Sequence, residues 1–293
     1  MVQTHAGRHG QEVHAPVTWE EAAALVSAHP LDSGVSGGAT YLMWRAAHGE
    51  PMPEHLISLH RIPDHDEVVD GAVGALATLR CVARGPQTGA QRALTMAASV
   101  TAGPAVRSLA TLGGNLASGF PQADLVPSLL ALDAHVHLAD GERVPVSHVV
   151  DHGLLTSQLI SRVTHDLAGE QGWTGATIKL SRRGMDLSTA LVSAVLRVDG
   201  DEIVEARVAV GSLYERPTRL SAVEAALVGA DTSAETMAEL VEAIGVKGRP
   251  FHDDDESTAR YRSRVAGPLV RRTLTLALAL GSTGTPQVGD ALA

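Results

Sequence analysis

Hydrophobic positions along the chain follow two periods. Over Val204–Val210 they alternate: Val204, Ala206, Val208 and Val210 share one face, Glu205 and Arg207 the other. That is the period of a half-buried strand, here the second arm of a hairpin across Asp199-Gly200 within Ser188–Val210. Val68–Val73 predicts a hairpin across Asp70-Gly71, a pair suited to a type I′ turn, and Val136–Val144 predicts another across Asp140-Gly141. Leu56–Leu59 reads as a strand. Helical stretches carry start and stop signals. Thr18-Trp19-Glu20-Glu21 is a capping box, with Thr18 accepting from the Glu21 N–H and Glu21 reaching back to the Thr18 N–H; its helix stops before Pro30. Tyr41–Trp44 predicts a short helix or a buried turn, and Ala75–Val82 a strand or a helix start. Asp124–Leu132 predicts a helix capped by Asp124 with Pro127 in its first turn. Ser221–Glu224 and Thr232–Glu235 are further capping boxes, with Gly229 and Gly245 as stops. A final helix over Arg260–Leu280 is expected to kink at Pro268.

This order is α+β and lacks the regular βαβ alternation of a doubly wound sheet. Residues 1–15 and 286–293 read as tails and Gly169–Gly172 as a boundary. The division expected is 16–170, with subdomains of about 16–60 and 61–170, followed by 173–285. Aromatic residues make up only 3% of the chain, so its core must be built from Ala, Val and Leu. A net charge of −10 opposes nucleic acid and anionic membrane surfaces as partners. Cys81 is the only cysteine, which excludes an internal disulfide and any cysteine-held iron–sulfur cluster or zinc site on this chain. A reducing, cytoplasmic setting fits, and neither a signal peptide nor a spanning apolar run is read in the sequence.

Candidate chemistry concentrates in two glycine loops. Thr111-Leu112-Gly113-Gly114-Asn115 places adjacent glycines between a hydroxyl and an amide, and Val35-Ser36-Gly37-Gly38-Ala39-Thr40 repeats the arrangement upstream. Glycine permits close approach of a ligand to the main chain, and successive free N–H groups attract phosphate. Two such loops point to a diphosphate. Their spacing fits neither a dinucleotide fingerprint nor a P-loop.

These residues resemble the FAD-binding medium subunits of the molybdenum hydroxylases, which include the flavin subunits of carbon monoxide dehydrogenase and bacterial xanthine dehydrogenase. The resemblance spans roughly residues 14–282. It rests on Ser36-Gly37-Gly38-Ala39-Thr40, on Thr111–Asn115 followed by Asp124, on Lys179, Arg183 and Asp186, and on Tyr261-Arg262 with Ala266. The resemblance implies a fold of the vanillyl-alcohol-oxidase/para-cresol-methylhydroxylase type, with FAD between two subdomains and a C-terminal domain beside them. It implies that Val35–Tyr41 (with Gly37, Gly38 and Ala39 at the turn), Thr101, Thr111, Leu112, Gly113, Gly114, Asn115 and Asp124 bind FAD. Ile160 would line the cofactor and Lys179 would lie near the flavin ring. The implied activity is electron transfer. A molybdenum-cofactor large subunit would oxidise substrate, a [2Fe-2S] small subunit would relay electrons to the FAD, and the FAD would pass them to an external acceptor such as NAD⁺, oxygen or a quinone.

The chain departs from that pattern at Ala117-Ser118-Gly119-Phe120-Pro121-Gln122-Ala123, where relatives often carry Ala-His-Ala-Asp-Pro-Ala-Ala, and at Arg80, where many carry histidine. Phe120 is a candidate to stack on the flavin. A stand-alone reductase similar to UDP-N-acetylenolpyruvylglucosamine reductase, or a scaffold that has lost FAD, remain alternatives. Plainer roles are expected elsewhere: Asp124 as a helix cap, Lys179 as a solvated charge, His135 and His137 as a solvent-facing pair, Asp253–Glu256 as a solvated or helix-start charge run, and Cys81 as a small buried hydrophobe.

Overall fold

The computed structural model describes residues 3–6, 11–63, 65–155, 157–233, 235, 239 and 249–282. The Thr232–Glu235 box, the Gly245 stop and the 286–293 tail lie wholly or partly outside them.

The first sheet contains β1 (Gln3–Ala6), β2 (Glu12–Ala15), β3 (Ser33–Ser36) and β4 (His55–Ser58), in the order β1-β2-β4-β3. β4 runs parallel to both β2 and β3. Residues 12–15 are therefore a strand rather than a frayed tail, because the Val13 and His14 main chain pairs with Leu56 and Ile57. α1 (Trp19–Ala28) buries Ala22 and Val26 against Ile57, Leu59, Ile62 and Leu159. Thr18 caps the Glu21 N–H as expected, but the Glu21 carboxylate returns to the Val17 N–H at 2.9 Å. β3 leads through the first glycine loop into α2 (Thr40–Ala47), so Tyr41–Trp44 is helical.

The second sheet is antiparallel: β5 (Val68–Val69), β6 (Ala72–Gly74), β7 (His135–Leu138), β8 (Arg143–Pro145) and β9 (Ile160–Thr164), in the order β5-β6-β9-β7-β8. In the Asp70-Gly71 turn only Gly71 takes positive φ, so the turn is not type I′. Gln91 fastens it, accepting from the Gly71 N–H and donating to the Val69 carbonyl. Short helices intervene between its strands: α3 (Leu79–Val82), α4 (Arg92–Val100), α5 (Pro104–Arg107), α6 (Leu112–Ala117), α7 (Val126–Ala131) and α8 (Val146–His152), of which α6 and α8 pack on this sheet and α4 and α7 on the one that follows. The undecided Ala75–Val82 stretch is thus a capped helical turn. Leu79 and Val82 point inward from it and leave Cys81 exposed rather than buried.

The third sheet, β10 (Trp173–Leu180), β11 (Ala190–Asp199), β12 (Glu202–Gly211) and β13 (Thr218–Arg219), is antiparallel in sequence order. Trp173–Thr177 and Ala190–Leu196 are buried without alternation, the pattern of a sheet covered on both faces. α4 lies close on β10, where a Cβ on Gly175 would sit 2.5 Å from the Ala90 carbonyl oxygen. Across the sheet lie α9 (Ser221–Leu227) and α10 (Ala259–Ser282), packed against Val192, Ala194, Val208 and Val210. A bulge near Arg197/Val198 shifts the register, so that Ile203 is buried and Val204 only half-buried; the predicted alternation holds from Ala206 onward. Ser221 does not cap α9, and Glu224 instead accepts from the Val208 N–H at 2.8 Å and pairs with Arg219.

α10 is anchored by a charge. Arg262 is fully buried, and it donates to the carbonyls of Thr189, His252 and Ser257 and to both carboxylate oxygens of Asp254. Asp254 also accepts from Gln122 and from the N–H groups of Glu256 and Ser257. Asp254 is thus a structural hub rather than part of a solvated charge run, while Asp253 does bond the Ala259 N–H at the helix start. Burial pushes the Asp254 carboxyl up, but the Arg262 and main-chain hydrogen bonds outweigh it and hold it below its usual value. A carboxyl depressed in the folded state contributes stability above its unfolded pKa of about 3.9 and loses it as pH falls through the lower folded value. Urea unfolding is therefore expected to show the wild type losing stability below about pH 4 more steeply than Asp254→Asn. At neutral pH, Arg262→Met is expected to cost about 3 kcal/mol or more.

Candidate functional site

The two glycine loops, remote in sequence, lie against each other. A Cβ on Gly37 would fall 2.6 Å from the Thr111 hydroxyl, and one on Gly38 would fall inside the Leu109 carbonyl. No side chain fits at this junction, so glycine is required for loop contact as well as for any ligand. Ala39 follows in the left-handed region at φ 56 and starts α2 with no side-chain cap. The first N–H groups of a helix have no intrahelical partner, and α2 therefore presents donors and a partial positive charge. Val35 and Ser36 end β3 behind this turn, and Thr40 and Tyr41 open α2.

The second loop spends its donors internally. The Leu112 N–H goes to the Ala77 carbonyl, Gly113 to Ala75, Gly114 to the Thr111 hydroxyl and Asn115 to the Thr111 carbonyl. It is the capped first turn of α6 rather than an open nest. Leu112 and Gly113 are buried, but Gly114 is exposed, and a Cβ there would meet only the Thr111 hydroxyl, at 2.9 Å. The Asn115 side chain accepts from the Leu125 N–H at 3.3 Å and so joins this loop to the start of α7.

Asp124 is next to that contact. It does not cap α7, whose cap position is Leu125. Its Oδ2 instead meets the Lys179 ammonium at 2.9 Å, both side chains being 4% exposed. Lys179 is thus buried on β10 rather than solvated, and it also reaches the Val100 carbonyl at 3.4 Å. Burial pushes the Asp124 carboxyl up, while Lys179 and the nearby hydroxyls of Ser188 and Thr101 pull it back. Thr101 donates to the Ala97 carbonyl and Ser188 is engaged with Ser212. Asp124 Oδ1 has no hydrogen-bond partner among the described residues. Ile160 opens β9 inside the core, in one cluster with Leu112 and Ala75.

Sequence reasoning missed the aromatic wall. Tyr41, Trp44 and Phe120 pack together with ring centroids 5.0–5.9 Å apart, which sets the departing Gly119–Pro121 segment beside α2. The sequence singles out Tyr41 and Phe120 separately, but only the i, i+3 spacing of Tyr41 and Trp44 hints that the rings gather. His135 and His137 are half-buried rather than solvent-facing, because β7 lies between β8 and β9 and His137 meets the Thr164 hydroxyl at 2.9 Å.

The Asp124–Lys179 pair yields a sharp expectation. Lys179→Met leaves a buried carboxylate unpaired and is expected to cost about 3–5 kcal/mol in urea unfolding. Asp124→Asn/Lys179→Met together should cost less than the sum of the single changes, since each single change alone strands a charge or a donor. Additive losses would show that the pair is uncoupled.

Comparison with known proteins bears on the same architecture. Residues 8–156 match the FAD binding domain in molybdopterin dehydrogenase, and residues 176–277 match the CO dehydrogenase flavoprotein C-terminal domain. The carbon monoxide dehydrogenase medium chain of Hydrogenophaga pseudoflava is 28% identical over 279 residues, covering 92% of this chain and 97% of that protein. The 6-hydroxypseudooxynicotine dehydrogenase complex subunit alpha of Paenarthrobacter nicotinovorans is 30% identical over 243 residues, covering 77% and 80%. A solved structure of carbon monoxide dehydrogenase from Hydrogenophaga pseudoflava superposes with a TM-score of 0.83 at 28% identity, covering 92% of this chain and 97% of that one. Among the described residues no helix is long and apolar enough to cross a membrane. The chain belongs to the molybdenum hydroxylase family as an FAD-binding medium subunit, a component of an oxidoreductase.

Proposed function

We propose that this chain holds FAD between its glycine loops and serves as the electron-transfer subunit of a cytoplasmic molybdenum-containing dehydrogenase. The observation that carries the reading is the direct contact of the two loops at Gly37 and Thr111, beside the uncapped start of α2. The residues present fit the cofactor. Gly114 is exposed and a Cβ on it would meet the Thr111 hydroxyl alone, the α2 donors are free of a side-chain cap, and Asp124 Oδ1 is a buried acceptor that lacks a donor. When bound, FAD supplies acceptance of single electrons and their release in pairs.

In this reading the chain's own residues bind and orient. The N–H groups opening α2 receive the diphosphate, aided by the helix dipole. Thr111 holds the Gly114 turn in shape, and Asn115 couples it to the Asp124 segment. Lys179 keeps Asp124 in place through their ion pair. Tyr41, Trp44 and Phe120 screen one side from water. Electrons would enter from a [2Fe-2S] subunit fed by a molybdenum-cofactor subunit and leave to an external acceptor. The two relatives described above are named for different substrates, which supports a substrate chosen by the partner rather than by this chain.

The test is a visible spectrum of the purified native protein with its co-purifying chains identified. Bound flavin together with molybdenum and iron–sulfur partners is expected; flavin without such partners would favour a stand-alone reductase. A point substitution probes the loop itself. Gly114→Leu places a side chain where only the Thr111 hydroxyl is near. It should keep the circular dichroism of the parent while FAD affinity falls by at least about tenfold, or about 1.4 kcal/mol. Undiminished FAD content in this variant would remove the second loop from the site.

A further inference from the structure

A second cluster of chemically capable side chains lies away from the glycine loops. Parallel pairing of β2 with β4 sets Glu12 opposite His55, and His14 follows on the same face of β2. His29 closes α1 as its C-cap residue, and its carbonyl accepts from the Ser33 N–H that opens β3. Three imidazoles from three elements therefore converge, each offering one nitrogen, with all three nitrogens within 4.8 Å of one another. His14 Nε2 lies 3.1 Å from His55 Nδ1, and the His29 ring stacks on His55 with centroids 3.4 Å apart. Glu12 Oε2 is 3.7 Å from that His14 nitrogen and 3.5 Å from that His55 nitrogen.

We propose that His14, His29, His55 and Glu12 bind one borderline divalent transition-metal ion, with Zn²⁺ as the best fit, and that the ion staples the first sheet to the end of α1. Zinc binds nitrogen and oxygen at about 2.0–2.2 Å, and a tetrahedron of that size has edges of about 3.3–3.6 Å. The His14, His55 and Glu12 donors already form a triangle of 3.1, 3.5 and 3.7 Å, close to one face of it. His29 supplies the fourth corner by turning out of its stack. Imidazole with a single carboxylate suits Zn²⁺, Ni²⁺ or Co²⁺ and disfavours the all-oxygen ions Mg²⁺ and Ca²⁺. Asp32 Oδ2 stands 3.9 Å from His55 Nε2, the ring nitrogen left over, and a shift of about 1 Å would make the hydrogen bond by which a carboxylate orients a ligating histidine. His14 is buried. Four donors leave no open position, so the site is structural rather than catalytic. β3 pairs with the His55 strand and its Ser33 N–H bonds the His29 carbonyl; because β3 leads into Gly37-Gly38, the ion would stiffen the base of the first glycine loop from both neighbours.

The experiment uses the purified full chain, stripped with EDTA and titrated with Zn²⁺ against a chelating indicator, with metal content read by mass spectrometry. One zinc per chain is expected, together with a rise in thermal midpoint. Co²⁺ in its place should give the intense visible bands of tetrahedral coordination, to the red of flavin absorption. His14→Asn/His55→Asn should weaken zinc at least about a hundredfold, and Asp32→Asn about tenfold. His135→Asn/His137→Asn should leave it unchanged. If the first double variant fails to fold, Glu12→Gln gives the second reading, with a loss of about tenfold expected on removal of one ligand. Failure of the wild type to take up zinc, a weak octahedral cobalt spectrum, or equal affinity in the wild type and the His14/His55 variant would each overturn the site. Flavin content is measured in parallel and reports on the glycine loops independently of the metal.

Discussion

Contact between two main chains, Gly38 against the Leu109 carbonyl, sets the terms for the candidate site. No L side chain can stand between them, so the first loop can reach Leu109–Thr111 only where it carries glycine. That approach sets Thr111, whose hydroxyl accepts from the Gly114 N–H, against the turn that leads into the uncapped start of α2. The second loop contributes little by way of free N–H groups, because its donors are spent on Ala75, Ala77 and Thr111. Its contribution is shape: a rigid helical turn with one bare backbone face. The anion-attracting donors belong to the first loop.

Behind this junction the fold relies on buried charges joined in series. Lys179 on β10 holds Asp124 before α7, and Asn115 ties α7 to the second loop. Ser188 stands near Asp124, and the carbonyl of the next residue, Thr189, accepts from Arg262. Arg262 grips Asp254, which reaches back to Gln122 in the segment before Asp124. The C-terminal sheet and its long helix are thereby linked to Asp124 and to the segment just before it. Buried ion pairs of this kind add little net stability over apolar packing, but losing one partner is costly, so they fix which surfaces meet. A subunit with an FAD-binding domain needs such positional definition.

The N-terminal sheet shows what a linear reading overlooks. Residues 12–15, polar and rich in histidine near the start of the chain, read as a tail. Parallel pairing to β4 makes them a strand and gathers His14, His29 and His55 at one point. His135 and His137, whose i, i+2 spacing stands out in the sequence, are instead taken up by β9, where His137 meets the Thr164 hydroxyl.

What the sequence determined by itself was local or carried by motif. The Thr18 cap, the Asp-Gly hairpins, the alternation beyond Ala206, the final helix and both glycine loops depend on residues within a few positions of each other, whose backbone preferences act without help from the rest of the chain. The family, too, was legible from the order of those motifs. Tertiary structure decided everything that needed a partner from elsewhere. Asp124 became half of an ion pair instead of a cap, Lys179 and Arg262 were drawn inside, Cys81 was turned out, and Glu224 was diverted to β12. The physical reason is the same in each case. Burying a charge is unfavourable unless a counter-charge or a set of donors meets it, and only the packed chain brings those groups within reach.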